Sequence, residues 1–181
     1  WVTYYGGANE DNIITLQNDT LGNIYFTGIT KSNAGITTAN SHKETFVGST
    51  SNYDVYLVKL DSNGVRQWAS YWGGNMQDGN NGLDMTVTPN GTIYLVNNTL
   101  SNDNYISANA YKSTRNLGDV IVSKWNTNGT VVWSTYYGGA AADVPTCITR
   151  DTLHNIYFAG YTQSNNGIAL GNAFKPTYDI Y

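Results

Sequence analysis

Carboxylates set at fixed intervals are the residues of this chain best suited to chemistry. Asp11, Asp78 and Asp143 each follow a Gly-Gly pair, and Asp54, Asp119 and Asp179 each open an apolar run. Paired carboxylates can hydrolyse glycosidic bonds, which in a retaining enzyme requires a separation of about 5 Å. Clustered carboxylates can hold calcium. A catalytic pair occurs once per active site, however, and these aspartates recur once per sequence repeat. Recurrence favours a structural part, in which each caps a turn or accepts backbone amides of the neighbouring unit. The polar residues that do not recur are Glu10, His42, Glu44, Arg66, Arg115 and His154. Glu10 and Glu44 lie in different loops, and the two histidines lack metal-ligand spacing. The reading is therefore of a non-enzyme with no catalytic residue, metal or cofactor. Asp61-Ser-Asn-Gly64 resembles the start of an oxygen-ligand loop, but its counterpart Asn126 is uncharged. A tight hairpin turn accounts for both. Cys147 is the single cysteine, which excludes a disulfide within the chain. In a short strand-like run it reads as a small buried apolar residue.

The elements that position these residues repeat with a period of about 66 residues. WVTYYGG (1–7) returns as WASYWGG (68–74) and WSTYYGG (133–139), led by Trp1, Trp68 and Trp133. IYFTGIT (24–30) returns as IYLVNNT (93–99) and IYFAGYT (156–162), each running into Thr-x-Ser-Asn. An Asn-x-aromatic-Lys follows at 40–43, 109–112 and 172–175, with His42 in the aromatic place of the first. DVYLVKLDSNGVRQW (54–68) is matched by DVIVSKWNTNGTVVW (119–133) and begun again by DIY (179–181).

One period carries four strand signals, rich in Ile, Val, Thr and Tyr and bounded by Gly, Asn and Asp. They are a (Ile13–Gln17), b (Ile24–Ile29), c (Val55–Leu60) and d (Arg66–Tyr71). Gly64 and Gly129 are expected at positive φ in the c–d hairpins. The a–b link aligns Gly22, Gly91 and His154, so His154 is expected to share a left-handed backbone. Strand c, apolar on both faces, belongs between stacked sheets, and strand d should be more exposed. The fold expected is all-β: four-stranded antiparallel propeller blades, about three of a larger propeller. The divisions are strand d at 1–7, blades at 11–74 and 78–139, and an incomplete blade at 143–181. Three blades are too few to close, so the missing partners are further blades of a longer polypeptide or further copies of the chain.

The chain resembles the SBBP-type β-propeller repeat proteins. The resemblance rests on Trp-x-Thr-Tyr-Tyr-Gly-Gly, on the Asp-x-x-Gly-Asn-Ile-Tyr-Phe-Thr-Gly-x-Thr-x-Ser of 19–32, and on the Asp-Val-Tyr-Leu-Val-Lys-Leu-Asp-x-x-Gly of 54–64. The middle copy departs from it with Asn97 in place of Gly28 and Gly160, and with two extra residues after Asp78. The resemblance implies a secreted or cell-surface bacterial protein, in many members cargo of the Bacteroidota type IX secretion route. It brings no catalytic residues. In that setting Asp-Thr-Leu at 19–21 and 151–153 resembles an O-glycosylation sequence, with sugar on Thr20 and Thr152.

The net charge of −4, with nine Lys and Arg scattered singly, gives no basic stripe for nucleic acid. No apolar run approaches the roughly 18 residues of a membrane-spanning helix, and the strands are too short for a membrane barrel. The segments between strands b and c (33–53, 102–118 and 165–178) vary in length and sequence. Such loops are suited to recognition of glycans or surface proteins, with Tyr53, Tyr105, Tyr111 and Tyr178 as stacking candidates. Three readings follow: an adhesion or scaffold segment, a lectin-like module, or part of a secreted propeller hydrolase.

Overall fold

Short β-branched and aromatic runs between Gly- and Asn-rich turns form ten strands in the computed structural model, which describes residues 1–49, 51–103 and 106–178. The first sheet is β1 (Asp11–Asn18), β2 (Ile24–Thr30), β3 (Asp54–Leu60) and β4 (Arg66–Trp72), paired antiparallel in chain order. The second repeats it with β5 (Asp78–Val87), β6 (Ile93–Thr99), β7 (Asp119–Trp125) and β8 (Val131–Tyr137). A third begins with β9 (Asp143–Arg150) and β10 (Ile156–Thr162). No helix occurs among the described residues.

The turns obey the chemistry of their residues. Gly22 and Gly91 adopt φ of 78° and 83°, and His154 in the same register adopts 66°. Gly64 and Gly129 close the two c–d hairpins at 82° and 81°. Asn40 also lies at positive φ (60°), which the repeat pattern did not foretell.

The sheets stack face to face. β5 packs against both β1 and β9, so the first strands of the three units run side by side. A cluster including Tyr25, Leu57, Trp72, Met85, Leu95 and Trp125 fills the space between the first and second sheets. Tyr94, Val122 and Ile148, with Phe158 and Trp133, fill that between the second and third. β3 and β7 are buried along their length except at Lys59 and Lys124, as a middle strand between two neighbours must be.

Three expectations are corrected. Residues 1–7 hold no strand: a d strand takes its ladder from its own strand c, and none pairs with this segment among the described residues. β4 is buried from Trp68 to Trp72 instead of exposed. The segment between β2 and β3 runs along its outer edge, where Thr38 N donates to Ala69 O (3.0 Å) and Tyr71 N to Lys43 O (3.0 Å). In the second unit Ser107 N bonds Ser134 O and Tyr136 N bonds Lys112 O, each at 3.1 Å. Cys147 is exposed. Strand alternation turns Ile148 into the inter-sheet core and therefore Cys147 away from it.

The two irregularities of the middle copy are one feature. At Gly28 a β-carbon would stand 1.9 Å from Asn12 O, and at Gly160 2.1 Å from Val144 O, so strand a leaves no room for a side chain. In the second sheet the extra residues bulge β5 between Asp78 and Leu83. Asn97 fits in the space, accepts from Trp72 Nε1 at 3.1 Å and donates to Asn98 O at 3.0 Å.

Candidate functional site

The recurrent aspartates meet where one sheet hands the chain to the next. Gly73-Gly74 and Gly138-Gly139 turn the chain from strand d of one unit into strand a of the following one, and Gly6-Gly7 leads into β1. The second glycine donates its amide to the aspartate opening strand a: Gly7 to Asp11 (2.7 Å), Gly74 to Asp78 (2.8 Å) and Gly139 to Asp143 (2.7 Å). The Thr-x-Ser after strand b completes the cage. Ser32, Ser101 and Ser164 donate hydroxyls to the same carboxylates at 2.9, 2.7 and 2.9 Å. Thr30 and Thr162 bond the other oxygen of Asp11 and Asp143, and Thr99 bonds Asp78. Each serine hydroxyl also receives a backbone amide, from Asn9, Met76 or Ala141.

The second aspartate series reaches the same turns from the other side. Asp54 and Asp119 are fully buried at the heads of β3 and β7. Lys112, from the Asn-x-aromatic-Lys motif, donates to Asp119 Oδ2 at 2.5 Å and to Gly138 O at 2.6 Å. Lys43 bonds Gly73 O and stands 4.0 Å from Asp54 Oδ2. The first glycine must be glycine because two carboxylates flank it. A β-carbon on Gly73 would lie 2.8 Å from Asp54 Cγ and 3.0 Å from Asp78 Oδ2. On Gly138 it would lie 2.8 Å from Asp119 Cγ and 2.6 Å from Asp143 Oδ2. Each of these two junctions thus gathers two carboxylates and one ammonium from three chain segments. Burial pushes Asp54 up to about 7 against the pull of Lys43. Burial likewise raises Asp119 against Lys112, and Asp78 against its hydrogen bonds from Thr99, Gly74 and Ser101. Asp179, third of the series, lies outside the described residues.

Trp1 and Trp68 each latch onto the c–d hairpin of the following unit. Trp68 Nε1 donates to Thr127 O (2.9 Å), and its ring lies where a β-carbon on Gly129 would come within 2.6 Å. Trp1 sits the same way on the first hairpin, with Nε1 to Ser62 O at 3.3 Å and its ring over Gly64. Trp133 packs against Tyr94, ring centres 6.4 Å apart.

The stacking candidates do not converge. Tyr53 packs against the core between the first two sheets, under Lys31 at 4.2 Å. The Tyr53 hydroxyl and Lys31 together hold Glu10 below its ordinary range. Tyr111 is 73% exposed and stacks on Tyr137, 6.4 Å between centres. This is the slot that His42 fills in the first unit, between Trp72 and Trp125 at 6.1 and 5.3 Å. Tyr111 therefore holds a packing position of the repeat. Tyr178, 48% exposed, lines a cavity of about 470 Å³ with Ser164, Asn165, Asn166 and Lys175. Tyr105 lies outside the described residues. Thr20 donates its hydroxyl to Pro89 O at 2.7 Å, and Thr152 is exposed on the equivalent turn of the third unit.

Lys43 and Lys112 were not singled out in the sequence, though they recur as regularly as the aspartates. The chain from lysine to aspartate differs in length between the two units, so spacing alone could not pair them.

Four-stranded antiparallel sheets, stacked face to face and clasped at every Gly-Gly turn, define a β-propeller segment. Residues 132–168, from β8 past β10, match the family model described as SBBP, beta-propeller repeat. The match spans one SBBP repeat, and the earlier copies show the same motifs in the same order. No curated protein matches it.

Proposed function

We propose that this chain is a non-enzymatic stretch of a secreted or cell-surface propeller, serving as a scaffold or in adhesion. One observation carries the reading: at every Gly-Gly turn the aspartate that opens strand a is held by a glycine amide and a serine hydroxyl of the fold itself. Carboxylates held in this way join units together and are poorly placed to transfer protons to a substrate. The remaining partners in this reading are further blades, and the bacterial cell-surface setting with type IX secretion rests on the usual company of such repeats.

A second reading, a lectin-like module, is favoured by Tyr178 beside amide side chains at a cavity of sugar size. The two are separated by screening the purified chain on a glycan array and against intact cells. The scaffold reading expects cell adhesion without saturable glycan binding. Glycan binding lost in Tyr178→Ala would replace it with the lectin reading. Release of reducing sugar from polysaccharide would overturn both.

A further inference from the structure

We infer that each blade junction is a proton-operated clasp: the triads Lys43–Asp54–Asp78 and Lys112–Asp119–Asp143 hold one buried carboxylate too many, and tighten by taking up a proton between neutral and mildly acidic solution. The argument begins with charge and place. At the first junction Asp54 and Asp78 are 0% and 2% exposed, on either side of Gly73, with Lys43 as the ammonium between them. At the second, Asp119 and Asp143 are 0% and 3% exposed, on either side of Gly138, with Lys112. Two carboxylates and one ammonium leave a net negative charge that solvent cannot screen.

The geometry says which member takes the proton. Asp78 and Asp143 each accept a glycine amide and a serine hydroxyl, both of which need an acceptor. Asp54 has no hydroxyl donor, only the Gly48 amide nearby, and the Lys43 ammonium stands off at 4.0 Å. Asp119 Oδ1 is buried without a hydrogen bond from a side chain, while Oδ2 takes Lys112. Burial raises Asp54 and Asp119, and Asp78 as well, so the first junction as a whole favours an added proton, with Asp54 the member least supplied with donors. The other charged or titratable groups facing the first junction are Asp103, whose Oδ1 accepts from Asn75 N at 3.0 Å, His42 beside Lys43, and Tyr71 and Tyr136, whose hydroxyls burial pushes up and keeps neutral. Asp103 adds negative charge and strengthens proton uptake. His42 is held below its ordinary range by burial and by Lys43, so it stays neutral above pH 6.5. At the second junction Arg115 lies nearby, bonded to Ser101 O at 2.9 Å, and Tyr111 replaces the histidine.

The sign follows from linkage. A carboxyl whose folded value lies above its unfolded one binds more protons in the folded state across the interval between them. Stability therefore falls as pH rises through that interval, ending near 7 for Asp54. Thermal unfolding of the purified chain at pH 6, 7 and 8 reads this directly. The expected result is a Tm that falls by a few degrees from pH 6 to 8. Asp54→Asn and Asp119→Asn, neutral in the same shape, should each raise Tm at pH 8 and flatten the slope, and His42→Gln should leave the slope unchanged. Carbon-13 NMR of the aspartate carboxyls is the second measurement should a variant fail to fold, with Asp54 expected to titrate near 7. A Tm that rises or stays level from pH 6 to 8, or an Asp54 midpoint in the ordinary carboxylate range, overturns the inference.

Discussion

Gly28, Asn97 and Gly160 occupy one place in the repeat and show what a single β-carbon costs. Where strand a runs close, the carbon has no room, so Gly28→Ala or Gly160→Ala should destabilise the chain by about 1–3 kcal/mol, read by urea unfolding. Asn97 exists because β5 bulges, and it gives Trp72 an acceptor. His154 presents the reverse situation: a side chain in a backbone that suits glycine, at φ 66° beside Gly22 and Gly91 at 78° and 83°. Relief of that conformation outweighs the added freedom of the unfolded chain, and His154→Gly should stabilise by roughly 0.5 kcal/mol in the same assay.

Among the elements, the segments between strands b and c do more than connect. In the first and second units they run along the outer edge of strand d, which would otherwise present unpaired backbone groups to another chain. In both of these units the segment then delivers a lysine to the buried aspartate of strand c. Cutting that delivery is costly because the carboxylate stays behind. Lys112→Met should destabilise by about 3–5 kcal/mol at neutral pH, and Lys112→Met with Asp119→Asn should recover most of the loss. A double-mutant cycle by chemical denaturation checks both figures. The variable lengths of these segments are compatible with a fixed fold because only their edge bonds and lysines are shared.

For the molecule as a whole, stability resides in the junctions. The core cluster between the first two sheets holds Trp72 and Trp125 edge to face at 5.0 Å, and Trp68 reaches across to the next hairpin. Trp68→Ala should cost about 3–5 kcal/mol and split one cooperative unfolding transition into two, visible by calorimetry, as coupling between neighbouring units is lost. Acid should act at the opposite end of the pH scale from the clasps. Burial pushes the Asp19 carboxyl up, but donors from Asn23, Tyr25 and Leu21 prevail and hold it below its ordinary value. Asp151 is held low by Asn155 in the equivalent turn. Groups with depressed folded values give stability that is complete above about pH 4 and is lost as pH falls through the folded value. The Tm should therefore drop below pH 4, and Asp19→Asn should lessen that drop.

The repeat, the four strands of each unit, the glycine turns and the left-handed His154 were all legible in the residues. Period, alternation and the φ that a glycine permits are local properties, and three ordered copies make them unmistakable. The partners of Lys43 and Lys112, the covered edge of β4 and the outward turn of Cys147 were not legible. They depend on tertiary packing: how the segment after strand b folds back within its unit to meet Asp54, Asp119 and the edge of β4, and which face of β9 the second sheet covers. The recurrent aspartates stood out by their spacing. That they pair across a glycine with one ammonium between two of them was decided by stacking, which buries the charges together and leaves nothing but each other to compensate them.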